Sequence, residues 1–122
     1  MTVDEVVPGT VTIDPNVLET IARLTAQKVP GVLRLAEKNE VEKLLGLGDK
    51  SIQVEVRDDG AVAVEVHIIA APNLSLLHLG RDVQQAVTRA IQQIVGMQVL
   101  EVNVYIEDVD FSVEESDAPA EG

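Results

Sequence analysis

Hydrophobic residues recur along this chain first with the period of a strand, then of a helix. In "GTVTI" at positions 9–13, Val11 and Ile13 fall on one side and Thr10 and Thr12 on the other, predicting a short strand. The period then lengthens. Val17, Leu18, Ile21, Leu24 and Thr25 form one stripe, with Asn16, Glu19, Arg23 and Gln27 opposite. Asp14 is a good N-cap, and Pro15 at the first helical position gives up no useful N–H. Pro30 disfavours helical geometry at Val29 and Gly31 completes the stop, so helix is predicted over 15–28. "VLRLAEKNEVEKLLGLGDK" then reads as a short extended piece and a helical turn around Val41–Leu45, closing in a loop at Gly46 and Gly48.

A hairpin follows. "SIQVEV" alternates, "RDDG" turns, and "AVAVEVHI" alternates again. Ile52, Val54, Val56, Val62, Val64, Val66 and Ile68 are assigned to one face, and Gln53, Glu55, Arg57, Glu65 and His67 to the other. A second helix is predicted from Leu74 or Ser75 to Val95, with Gly96 as its left-handed cap. Leu76, Leu79, Val83, Val87, Ala90, Ile91 and Ile94 make its apolar stripe. In "QVLEVNVYIED", Leu100, Val102, Val104 and Ile106 point inward, and Glu101, Asn103, Tyr105 and Glu107 outward. The order is β-α-β-β-α-β. Strands with one polar face imply an α+β two-layer sandwich, a small mixed or antiparallel sheet carrying two amphipathic helices on one face.

Composition narrows this. The chain of 122 residues is long enough for one core, built from aliphatic residues because Tyr105 and Phe111 are the only aromatics. We divide it into a loose leader (1–8), a domain (9–111) and an acidic tail (112–122) whose composition is that of disordered segments. No apolar run reaches the roughly 20 residues of a membrane span, and "MTVDEVVPG" has no signal-peptide pattern. Cysteine is absent. These features fit a cytoplasmic protein. The net charge of −12 is uneven: seven of the 21 acids fall from Glu107 onward, where no Lys or Arg occurs. Such a surface repels phosphate backbones, and two aromatics make no stacking platform, so nucleic acid is excluded as a partner.

Little else resembles chemistry. His67 shares the open sheet face with Glu65 and Tyr105, a trio capable of acid–base work near neutral pH. A flat face offers no desolvated cleft, however, and a contact surface suits these residues better. His78 falls on the polar side of the second helix, too far from His67 in the topology for converging metal ligands. The carboxylates of "DDG" and "EDVD" lack the spacing of a calcium loop, and "DDG" is explained by turn chemistry. No cofactor or metal is assigned. Leu74 and Leu77 lie off the apolar stripe and either pack beneath the 33–50 segment or form a contact patch. Gln84, Gln85, Gln92 and Gln93 form a neutral back face, solvated or in contact with a partner.

"GTVTIDPNVLETIARLTAQKVPGVLRL" and "VQQAVTRAIQQIVGMQVLEVNVYIEDVDF", with the hairpin between them, resemble the alkaline shock protein family of cell-envelope stress response proteins from Gram-positive bacteria. The likeness covers roughly residues 9–111. Two departures stand out: Pro72 and Asn73 replace the family's usual Tyr-Gly pair, and "NLSLLHLG" is more apolar than its family counterpart. Asn tolerates the left-handed conformation that glycine would supply. The resemblance implies a non-enzymatic cytoplasmic protein that self-assembles or reaches the membrane through an anchored partner. The resulting expectation is an interaction module in envelope stress response, with Leu74, Leu77, Glu65, His67 and Tyr105 as its contact surface. The alternatives are a small-ligand-binding regulatory domain and an acid–base enzyme using Glu65, His67 and Tyr105.

Overall fold

The structure is a computed structural model that describes residues 7–37 and 51–112. Its elements are α1 (Pro15–Gln27), β1 (Val32–Leu35), β2 (Ile52–Val56), β3 (Val62–Ala70), α2 (Leu76–Ala90) with a π-helical turn at Ile91–Val95, and β4 (Val99–Val109). The described residues contain no strand at 10–13, and Val11 there is 91% exposed. Alternation alone does not make a strand; it must also pair with a sheet edge, and among the described residues β1, just after α1, is the N-terminal segment that does. The two-layer α+β architecture stands, with the order α-β-β-β-α-β.

β3 is the centre of the sheet. β4 runs parallel along one side of it, from Val62↔Val99 to Ala70↔Val109. On the other side, β2 and β1 lie end to end, both antiparallel to β3. They meet at His67, whose N–H donates to the Ser51 carbonyl and whose carbonyl accepts from the Ala36 N–H, each at 2.8 Å. The turn expected around Val41–Leu45, the first six residues and the tail from Val113 lie outside the described residues.

α1 and α2 cover one face. Val62, Val64, Val66 and Ile68 of β3 are buried against Leu18, Ala22 and Ala26 of α1 and Leu79, Val83 and Val87 of α2. Asp14 caps α1 by accepting from the Asn16 N–H at 2.8 Å, and Ser75 caps α2 through the His78 N–H at 3.2 Å. Gly31, at φ +103, ends the α1 turn where a side chain would meet Leu79 at 3.0 Å. Close packing of α1 against α2 therefore depends on a glycine there.

Several edge positions depart from the sequence pattern. Val17 and Leu24 of α1, Val56 of β2 and Leu76 of α2 are exposed rather than central to the core. Ile94 is 69% exposed because the π-helical turn adds a residue to the helical period, leaving Ile91 buried and bringing Val95 partly inward instead. Leu100 points out at the bulge between Val62/Val99 and Ala63/Glu101. Between that bulge and a second one at Ile68/Ile69 the register holds, and Val102 is buried while Val104 and Ile106 are half-buried against the core.

Candidate interaction surface

The face of the sheet away from the helices carries Glu65 and His67 from β3 and Glu101, Asn103, Tyr105 and Glu107 from β4. Parallel pairing sets His67 directly beside Tyr105. The two rings stack, with centroids 4.6 Å apart and planes 15° from parallel. Nε2 of His67 lies 2.7 Å from Glu65 Oε2, and Nδ1 is hydrogen-bonded to Glu107 Oε2. The imidazole is thus held edge-on by two carboxylates and flat by a phenol, with its side chain 20% exposed.

Partial burial by itself would lower the His67 pKa. The hydrogen bonds and charges of Glu65 and Glu107 together outweigh that effect and raise it above the ordinary 6.5. When protonated, the ring donates from both nitrogens and neutralises much of the acidic cluster. Farther along the face, Arg57 bridges Glu55 at 3.4 Å and Glu101 at 3.9 Å. A shallow depression of about 310 Å³ beside it is lined by Gln53, Glu55, Arg57, Glu65, Glu101 and Asn103.

Glu65 and Glu107 engage opposite nitrogens of one ring, so the three side chains do not converge on a point where a metal would sit. No group of three or more potential ligands able to hold a metal occurs among the described residues. His78 is exposed and lies 3.7 Å from Asp82, one turn along the same helix. Asp59 of "DDG" accepts from the Ala61 N–H at 3.0 Å, as a turn aspartate does. Asp110 of "EDVD" is held by Arg34 at 3.1 Å and by Ser112, which together keep its carboxyl below the usual range, the Ser112 bonds contributing most.

Leu74 and Leu77 lie elsewhere. Leu74 is near Gly31, its Cδ2 3.1 Å from where a side chain there would begin. Asn73 before it has φ 65, so the left-handed turn expected of the Pro72-Asn73 pair is present. Leu77 is 69% exposed and lines a groove of about 430 Å³ between α2 and β4, with Leu76, Gly80, Arg81, Gln84, Val104 and Ile106. The structure therefore brings Glu65, His67 and Tyr105 together but sets Leu77 across β4 from them. The glutamine face of α2 is open, forming a depression of about 500 Å³ with Thr88 and Arg89. Glu107, the second carboxylate on His67, was not singled out by sequence reasoning. Finding it required the parallel register of β3 and β4, which alternation along either strand does not contain.

The chain is similar to known proteins in sequence and in fold. The profile of the alkaline shock protein 23 family, described as having cell envelope-related function, matches residues 4–111. Among curated proteins, the uncharacterized YqhY of Bacillus subtilis strain 168 is 24% identical over 107 residues, covering 84% of this chain and 78% of YqhY. YloU of the same organism, also uncharacterized, is 26% identical over 106 residues, covering 83% of this chain and 88% of YloU. Among solved structures, the MamM CTD in a copper form aligns with TM-score 0.51 at 12% identity, covering 80% of this chain and all (100%) of that one. Another MamM CTD structure aligns with TM-score 0.50 at 13% identity, covering 78% and 99%. At that identity the likeness is one of fold.

Proposed function

Since the chain belongs to the alkaline shock protein 23 family, with its cell envelope-related function, we propose that it is a non-catalytic interaction module of envelope stress response or envelope homeostasis. In this reading it works by self-association or by docking to a membrane-anchored protein. The observation that carries the proposal is the sheet face that neither helix of the described residues covers. Its histidine has both nitrogens engaged by carboxylates and one ring face covered by Tyr105. A general base needs a free nitrogen near a substrate proton; a contact surface needs side chains already fixed in place, so that binding orders little. No helix among the described residues is long and apolar enough to cross a membrane, and this reading assigns membrane attachment to the partner. Two acidic faces repel at low salt, so direct face-to-face pairing of copies strengthens with screening.

Co-purification of the tagged full chain from cells, with and without detergent solubilisation of membranes, tests the proposal. The expected result is a membrane-fraction protein recovered with the chain only after solubilisation, or concentration-dependent self-association in sedimentation. A chain that captures nothing and stays monomeric at every concentration and salt overturns it.

A further inference from the structure

The hydrogen-bond pattern of β3 shows which way each residue of β4 faces. Ala70 accepts from the Asp110 N–H, and Val62 donates to the Gln98 carbonyl, so the even-numbered residues of β3 bond to β4. With Val64 beside Val102 and Val66 beside Val104, the main chains of 101, 103 and 105 turn toward β3. Those of Val102, Val104 and Ile106 turn outward. Gln84 confirms the direction by donating from Nε2 to the Val102 carbonyl at 3.1 Å, at the outer edge. Among the described residues β4 pairs with β3 alone, so Val104 and Ile106 present main-chain donors and acceptors along an open edge.

That edge runs beside the groove holding Leu76 and Leu77. Gly80 forms part of its wall. It sits inside α2, where alanine would favour the helix, and a Cβ there would have only Ile106 Cδ1 near it, at 4.0 Å. Neither backbone conformation nor crowding requires glycine at this position. What glycine provides is room above the edge of β4. On the opposite side of the strand, Asn103 and Glu107 flank Tyr105 and Glu101 lies beyond Asn103, in a chain of net charge −12.

We infer that the open edge of β4 at Val104–Ile106 docks an extended peptide strand in which apolar and basic residues alternate. This rests on reading the chain as an interaction module and names the chemistry of its partner. A strand added at about 4.8 Å from β4 sends alternate side chains to opposite faces. One set enters the groove, against Leu76, Leu77 and the stem of Arg81. The other set lies over the open face beside Glu101, Tyr105 and Glu107, where Lys or Arg is favoured. A second copy fits less well, because it brings the same acidic face against itself. Charges that keep two such edges apart also select a basic strand.

The probe is a fluorescein-labelled peptide of alternating Val and Lys, titrated against the full chain at physiological salt and read by anisotropy. A peptide with the same residues in two blocks controls for simple charge attraction. The alternating peptide is expected to bind at least about tenfold more tightly than the block peptide, and Gly80→Leu and Val104→Pro each to weaken it by about tenfold or more. Proline at 104 removes an outward N–H and leaves the β3 ladder intact. Gly80→Leu blocks the groove with a good helix former, so it keeps the test decisive should the proline variant fail to fold. Equal binding of the two peptides, or full binding by folded Gly80→Leu, overturns the inference. It is also overturned if the alternating peptide does not bind while Gly80→Leu dissociates a wild-type oligomer, which would make a second copy the occupant. If Gly80→Leu still captures the wild type's cellular partner, the strand site fails and the module reading survives; if neither protein captures a partner or self-associates, the module reading itself fails.

Discussion

Gly80 lies in the interior of α2 with a helical backbone, and its replacement by alanine tests whether stability or open space governs that position. A glycine inside a helix is about 0.5–1 kcal/mol less favourable than alanine, mainly through its extra freedom in the unfolded chain. The new methyl would lie 4.0 Å from Ile106 Cδ1, an ordinary van der Waals contact that adds little and costs nothing. Gly80→Ala is therefore expected to stabilise the protein by about 0.5–1 kcal/mol, or roughly 2–6 °C in melting temperature for a domain of this size. Thermal melts by circular dichroism and urea titrations measure it, with an unchanged m-value showing that the surface exposed on unfolding has not altered. Gly31→Ala is the opposite control. At φ +103, with Leu79 Cδ1 at 3.0 Å, the same chemical change should destabilise by about 1–3 kcal/mol. A Gly80→Ala protein that melts lower than wild type refutes the reasoning, because it means that the helix or the groove does not accept even a methyl group.

Three further outcomes follow from packing and charge. Leu18 is fully buried between α1 and the sheet, so Leu18→Ala should cost about 2–5 kcal/mol of unfolding free energy in urea. Leu77→Ser should change it by less than about 0.5 kcal/mol, since that side chain is largely in water; a larger loss would show that it packs in the core. The His67 pKa is raised in the folded state, so its stabilising contribution is complete below about 6.5 and is lost as pH rises through the raised value. The urea-derived unfolding free energy of wild type minus that of His67→Gln should shrink over that range, by no more than about 1 kcal/mol since both carboxylates are partly in water. A difference that is flat with pH would mean that the two carboxylates do not hold the imidazolium.

Local geometry was legible in the residues alone. Alternation placed Val64, Val66 and Val102 on the helix side and Glu65, His67 and Tyr105 on the other, because successive side chains of any strand point to opposite faces. Asp14-Pro15 and Gly96 bounded the helices through capping, which is chemistry within a few residues. Whatever requires two distant segments to meet emerged only with the fold. "GTVTI" alternates as well as any strand but pairs with nothing among the described residues, while the short "VLRL" joins β3. The parallel register brought Glu107 to His67 and stacked Tyr105 upon it. A bulge turned Leu100 outward, and a π-helical turn did the same to Ile94, each because one inserted residue shifts the period of its element. The open edge of β4 is the plainest case. Whether a strand lies at a border is a property of its neighbours, and no pattern within its own residues records it.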